Sequence, residues 1–118
     1  MGLAITERCL ETLLARQGQC ALMANVLTRT SRMLEAARLG DWILVAAMEN
    51  KRSQLLKQCF SGPVSPDNSE IFSEALAIML HLNEELVALL NEAKANAAKQ
   101  FALDRKNHDA VAHYLDID

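Results

Sequence analysis

Six residues decide how this chain can fold. Gly2, Gly18, Gly40, Gly62, Pro63 and Pro66 are its only glycines and prolines, and residues 67–118 contain neither. Glycine and proline are the strongest interrupters of regular structure, so their scarcity leaves long unbroken segments. Those segments are rich in Leu, Ala, Met, Glu, Gln, Lys and Arg, which lose little freedom on entering a helix. β-Branched residues are sparse and nowhere alternate with polar ones over a strand's length. The sequence therefore predicts an all-α fold: an elongated antiparallel bundle of three main helices (long, short, long) with a short fourth helix at the C-terminus. Its 118 residues make a single helical domain, 1–118, with 109–118 as a movable C-terminal segment.

The breakers set the boundaries. The first helix is expected to start at Thr6, an N-cap followed by Glu7, and to run to about Leu39. Its stripe of Leu10, Leu13, Leu14, Cys20, Ala21, Ala24, Leu27 and Leu34 follows three-and-four spacing. Gly18 falls inside that helix, tolerated at about 1 kcal/mol relative to Ala. Gly40 ends the helix and Asp41 caps the next, which runs from Trp42 to about Phe60. On it, Glu49 and Arg52 are three apart and can pair across one turn. Residues 61–67 form the one clear loop. Asp67 with Glu70 three later has the form of a capping box, so the third helix starts near Asn68. The polar run 104–109 is the candidate bend before a fourth helix over 109–115.

These lengths leave one end thinly covered. At 1.5 Å per residue the first helix is about 50 Å long and the second about 27 Å. Leu10, Leu13, Leu14, Ile71 and Phe72 then lack a third helical neighbour, which predicts a partner there, either a second copy in a homodimer or a ligand helix.

Several chemistries are disfavoured. The net charge of −3 argues against a basic nucleic-acid-binding face. No apolar run approaches the roughly 18 residues of a membrane span. The first seven residues reach charge and polarity too soon for a secretion signal, so a cytoplasmic location is expected. His108 and His113 are five apart and face different ways, and His81 has no second His four residues away, so no metal is expected. Cys9, Cys20 and Cys59 are odd in number and lack C-x-x-C spacing, the pattern of reduced core thiols. The glycines stand alone, so no phosphate-cradling loop exists and no cofactor is expected. A dicarboxylate site of the kind found in small helical chorismate mutases would need several inward cations. Most of Arg29, Arg38 and Arg52 fall outside the inward stripes, and no enzymatic activity is expected.

The segment Leu34-Glu35-Ala36-Ala37-Arg38-Leu39-Gly40-Asp41-Trp42 carries a more specific signal, together with Val45, Met48, Glu49, Arg52, Leu55 and Leu56. A helix ending in L-x-x-A-x-x-G and followed by an acidic residue and Trp resembles the core of the FliT family of flagellar type III export chaperones. Ala112-His113-Tyr114 is a looser match to that family's tail. Physically, Gly40 supplies a left-handed turn, Asp41 a cap, and Trp42 a large ring for the corner between helices.

The resemblance implies an ATP-independent cytoplasmic chaperone. It would bind the C-terminal helical segment of the flagellar filament-cap protein, with the export ATPase complex and a flagellar master regulator as further partners. Recognition would be of the helix-in-groove kind, which Met and Leu suit because they repack around varied ligands. One wall would be Val45, Met48, Leu55 and Phe60, and the other Phe72, Met79, Leu82 and Leu86. Val111, Tyr114 and Leu115 would form a covering segment. A composition that is 51% hydrophobic but only 4% aromatic suits such a groove, because three helices of unequal length cannot bury all their Leu, Ala and Met. Taken without the resemblance, the same residues describe a helical regulatory or structural interaction protein unrelated to flagella.

Overall fold

The computed structural model describes residues 3–115, with side chains from residue 7 onward apart from that of Tyr114. Four helices form an all-α bundle: α1 (Leu3–Arg16), α2 (Gly18–Arg38), α3 (Trp42–Cys59) and α4 (Ser69–Leu115). A single 3-10 turn, Pro66–Asn68, leads into α4.

The expected first helix is two helices. The chain breaks at Gln17, where φ is 59° and ψ is −168°, and Gly18 follows with φ 57°. That Gln17 conformation is one that only glycine adopts without cost. Gly18 is thus part of a reversal and not a tolerated helix-interior residue. Thr6 is not an N-cap either, because α1 begins three residues before it.

The break lets α1 fold back against α2 and α4. Arg16 lies against Asp67 and Asn68, whereas Cys9, further back in α1, lies near Glu74, further on in α4. The two helices therefore run antiparallel. Cys9 and Leu13 of α1 close a core with Met23 and Leu27 of α2, Leu55 and Cys59 of α3, and Phe72, Ala75 and Ile78 of α4. This corrects the expectation of a thinly covered end. Leu13, Ile71 and Phe72 are buried and Leu10 is half-buried, leaving only Leu14 of that set exposed. With them buried, that end gives no ground for a homodimer or a docked ligand helix.

At the other end the bundle has three helices. Gly40, at φ 76°, closes α2 in a Schellman turn: its N–H donates to the Ala37 carbonyl at 3.0 Å, and that of Asp41 to Ala36 at 2.9 Å. The Asp41 carboxylate then accepts from the Leu44 N–H at 3.2 Å. Half-buried Trp42 packs on a second core of Met33, Leu34, Ala36, Ala37, Val45 and Leu86. At the start of α4 the capping box gives way to the 3-10 turn, and the Ser69 hydroxyl donates to the Pro66 carbonyl at 3.0 Å.

α4 has 47 residues and is about 70 Å long, well beyond the reach of its neighbours. The bend expected over 104–109 is absent, and no separate fourth helix forms there. Residues 91–102 are dominated by Ala, Glu, Lys and Gln. They only extend a helix already nucleated in the bundle, the inexpensive part of helix formation. Every described side chain from Lys94 to Leu115 is exposed. The result is a rod measuring 78 × 29 × 17 Å.

Candidate partner-binding groove

Beyond the Gly40 corner, α3 and α4 each pack on α2 and little on each other, leaving an apolar groove of 460 Å³ between them. Met33 of α2 contributes to its base. Trp42, Val45, Ala46, Glu49 and Arg52 line the α3 side, and Asn83, Leu86, Val87 and Leu90 the α4 side. The spacing of 42, 45, 49 and 52 places one face of α3 along the groove, and 83, 86, 87 and 90 do the same on α4.

The predicted walls divide. Val45 and Leu86 line the groove. Leu55, Phe72 and Met79 are buried in the core that α1 closes. Met48 and Leu82 are half-buried against the second core. Phe60 is exposed, its ring edge-on to that of Phe72 with centroids 5.7 Å apart and planes at 89°. The corner motif contributes one groove residue, Trp42. Val111 and Leu115, expected to cover the groove, are exposed on the projecting part of α4, and the Tyr114 side chain lies outside the described residues.

Sequence reasoning paired Glu49 with Arg52 across one turn, as the structure has them, but placed neither in the groove. Arg52 is 7% exposed although charged. Its Nη2 lies 2.6 Å from a Glu49 carboxylate oxygen. Its Nη1 donates to Asn83 Oδ1 at 3.1 Å and to Thr30 Oγ1 at 3.4 Å. Thr30 is itself fully buried, and its hydroxyl donates to the Val26 carbonyl at 2.8 Å. Arg52 Nε is buried without a hydrogen-bond partner. One signal was available: Val45, Arg52 and Cys59 recur at seven-residue spacing, which puts Arg52 on the inward stripe.

Charge outside the groove also joins α2 to α4. Arg38, in the last turn of α2, pairs with Glu85 of α4 at 3.0 Å, and His81 Nε2 lies 3.3 Å from the other Glu85 oxygen. Among the described residues, no helix is long and apolar enough to cross a membrane.

The family model described as "Flagellar protein FliT" matches residues 20–116, a span that takes in nearly all of α2, all of α3 and α4, and the whole groove. No curated protein and no solved structure matches the chain.

Proposed function

Because the chain belongs to the FliT family of flagellar proteins, we propose that it is an export chaperone whose groove holds the C-terminal helical segment of the filament-cap protein. The observation that carries this reading is the apolar groove between α3 and α4. Its lining follows two helical faces, the surface into which a third amphipathic helix packs its own i, i+3, i+4 stripe. The chaperone acts in the cytoplasm and holds its client through burial of apolar surface. The export ATPase complex and a flagellar master regulator are its further partners, and the projecting part of α4 is a surface that either can reach.

The C-terminal segment, residues 109–118, covers the groove in a second arrangement of the chain. Exposed Val111 and Leu115 supply apolar surface for it, and Tyr114 lies between them in the sequence. Arm lengths set its reach. With a turn at Asp104, Leu115 returns about 16 Å, to the level of Ala93, just short of the groove's outer rim at Leu90. The segment therefore crowds the approach to the rim and leaves the Trp42–Arg52 stretch open.

Titration of a cap-protein C-terminal peptide into the full chain, read by fluorescence anisotropy, tests the reading. Binding is expected, and Val87→Asp, at an exposed position in the wall, should abolish it without unfolding the bundle. A chain ending before Asn107 should bind more tightly. Absence of binding by both lengths overturns the chaperone reading, and unaltered binding by Val87→Asp overturns the groove.

A further inference from the structure

We propose that the helix occupying this groove carries a carboxamide, a Gln or Asn side chain, on its otherwise apolar face, and that Arg52 and Glu49 together read it. The inference rests on the groove being the client site and specifies what the client presents there.

Three features of the groove lead to a carboxamide. Arg52 retains an N–H with no acceptor, at Nε, although the residue is more than nine-tenths buried. A buried donor without a partner is costly, so the wall is incomplete as the chain stands alone. The weakest of the guanidinium's contacts is the 3.4 Å bond to Thr30. Thr30 keeps its own bond to Val26 if that contact is given up. A small outward turn of Arg52 therefore brings Nε toward an incoming acceptor at the cost of one long Nη1 bond, and strands no hydroxyl.

The second feature selects the kind of acceptor. The charge of Arg52 is already matched by Glu49 at 2.6 Å. A client carboxylate would enter beside the Glu49 carboxylate, and like charges in an apolar wall repel strongly. A client Lys or Arg would meet Arg52. An apolar side chain would cover the fork and leave Nε unpaired. A neutral carbonyl oxygen satisfies Arg52 without opposing Glu49.

The third feature separates a carboxamide from other neutral acceptors. Glu49 is half-exposed at the rim, and Asn83 faces it across the groove. The amide NH2 of Gln or Asn can donate to the Glu49 carboxylate while its oxygen accepts from Arg52. One side chain thus completes both members of the pair, with the planar geometry that a guanidinium matches best. Because specificity is a difference of affinities, the same pair favours an amide and rejects both charge signs.

Calorimetric titration of the cap-protein C-terminal peptide into the full chain provides the test. Each Asn and Gln of the peptide is replaced in turn by Leu and by Glu. At one position both replacements should weaken binding about tenfold to the wild-type chain. The Leu replacement should cost almost nothing against Arg52→Leu. Against Glu49→Gln, a variant at a half-exposed position, the Glu replacement should recover most of its loss. Circular dichroism melting of each variant confirms that the bundle is intact. If the peptide binds but no Asn or Gln position distinguishes the variants from wild type, the carboxamide inference is wrong and the groove stands. If the unsubstituted peptide does not bind at all, the groove reading fails and takes this inference with it.

Discussion

Arg16 Nη1 donates to the backbone carbonyl of Asp67 at 2.6 Å, joining residues 51 positions apart. The same guanidinium nitrogen reaches Asn68 Oδ1 at 3.1 Å. Close by, Gln19 Nε2 donates to the carbonyls of Cys59 and Gly62. Together these contacts bind the α1–α2 reversal to the α3–α4 loop. Arg16→Ala should lower the unfolding free energy by about 0.5–1.5 kcal/mol, measured by urea denaturation. Gln19→Ala should cost about 1–2 kcal/mol, because its partners include a part-buried carbonyl. The two losses should fall short of additivity, since both act on one junction.

The reversal itself makes a prediction of sign. A glycine inside a continuous helix would be stabilised by mutation to Ala. Gly18 has φ 57° and open space around its Cα, so Gly18→Ala meets no clash but incurs backbone strain. It should destabilise by about 1 kcal/mol. Gln17→Gly should do the opposite, by a similar amount, because it relieves a conformation that suits only glycine. Thermal melts of the two variants should move in opposite directions.

Burial raises the pKa of Cys9 above its ordinary value, with a smaller contribution from the Glu74 carboxylate, and burial alone raises that of Cys59. The folded protein therefore holds these thiol protons more tightly than the unfolded chain does. Their contribution is constant below the unfolded pKa and declines as pH rises through it toward the folded one. Stability should be flat with respect to these thiols at neutral pH and fall above about pH 8.5. In native buffer Cys9 and Cys59 should resist a thiol-labelling reagent and react only on unfolding. Rapid native labelling at pH 7 would contradict their burial.

A chain ending at Ala93 should melt within a few degrees of the full chain. Every described side chain from Lys94 to Leu115 is exposed, so its removal takes no core contact with it. The far-ultraviolet helical signal should drop in proportion to the residues lost. A large fall in melting temperature would mean that the projecting helix packs on the bundle in solution.

Local chemistry made α2, α3 and their corner readable. Gly40, Asp41 and Trp42 act within a few residues of one another, through a left-handed turn, a side-chain cap and a ring beside it. The α1–α2 break was not readable. Gly18 alone suits a helix interior as well as a turn, and the break is held by contacts of its neighbours Arg16 and Gln19 with Asp67, Cys59 and Gly62, which are remote in sequence. That one break redistributes the site. With α1 folded back, Leu55, Phe72 and Met79 become core, and the groove is confined to the end that α1 does not reach. Val45 and Leu86 were found because they lie at that end. Arg52 was missed as a groove residue because a charged side chain on an inward stripe reads as a surface ion pair until Thr30 and Asn83 are seen around it.

The projecting part of α4 also governs how the molecule behaves in flow. The radius of gyration is 20.9 Å, against about 13.5 Å expected for a compact chain of this size. A rod of these proportions drags and tumbles like a considerably heavier sphere. On a gel-filtration column calibrated with globular standards, a single copy will elute ahead of its 13.1 kDa mass. Light scattering, which weighs particles without regard to their shape, separates this effect of shape from true association of copies.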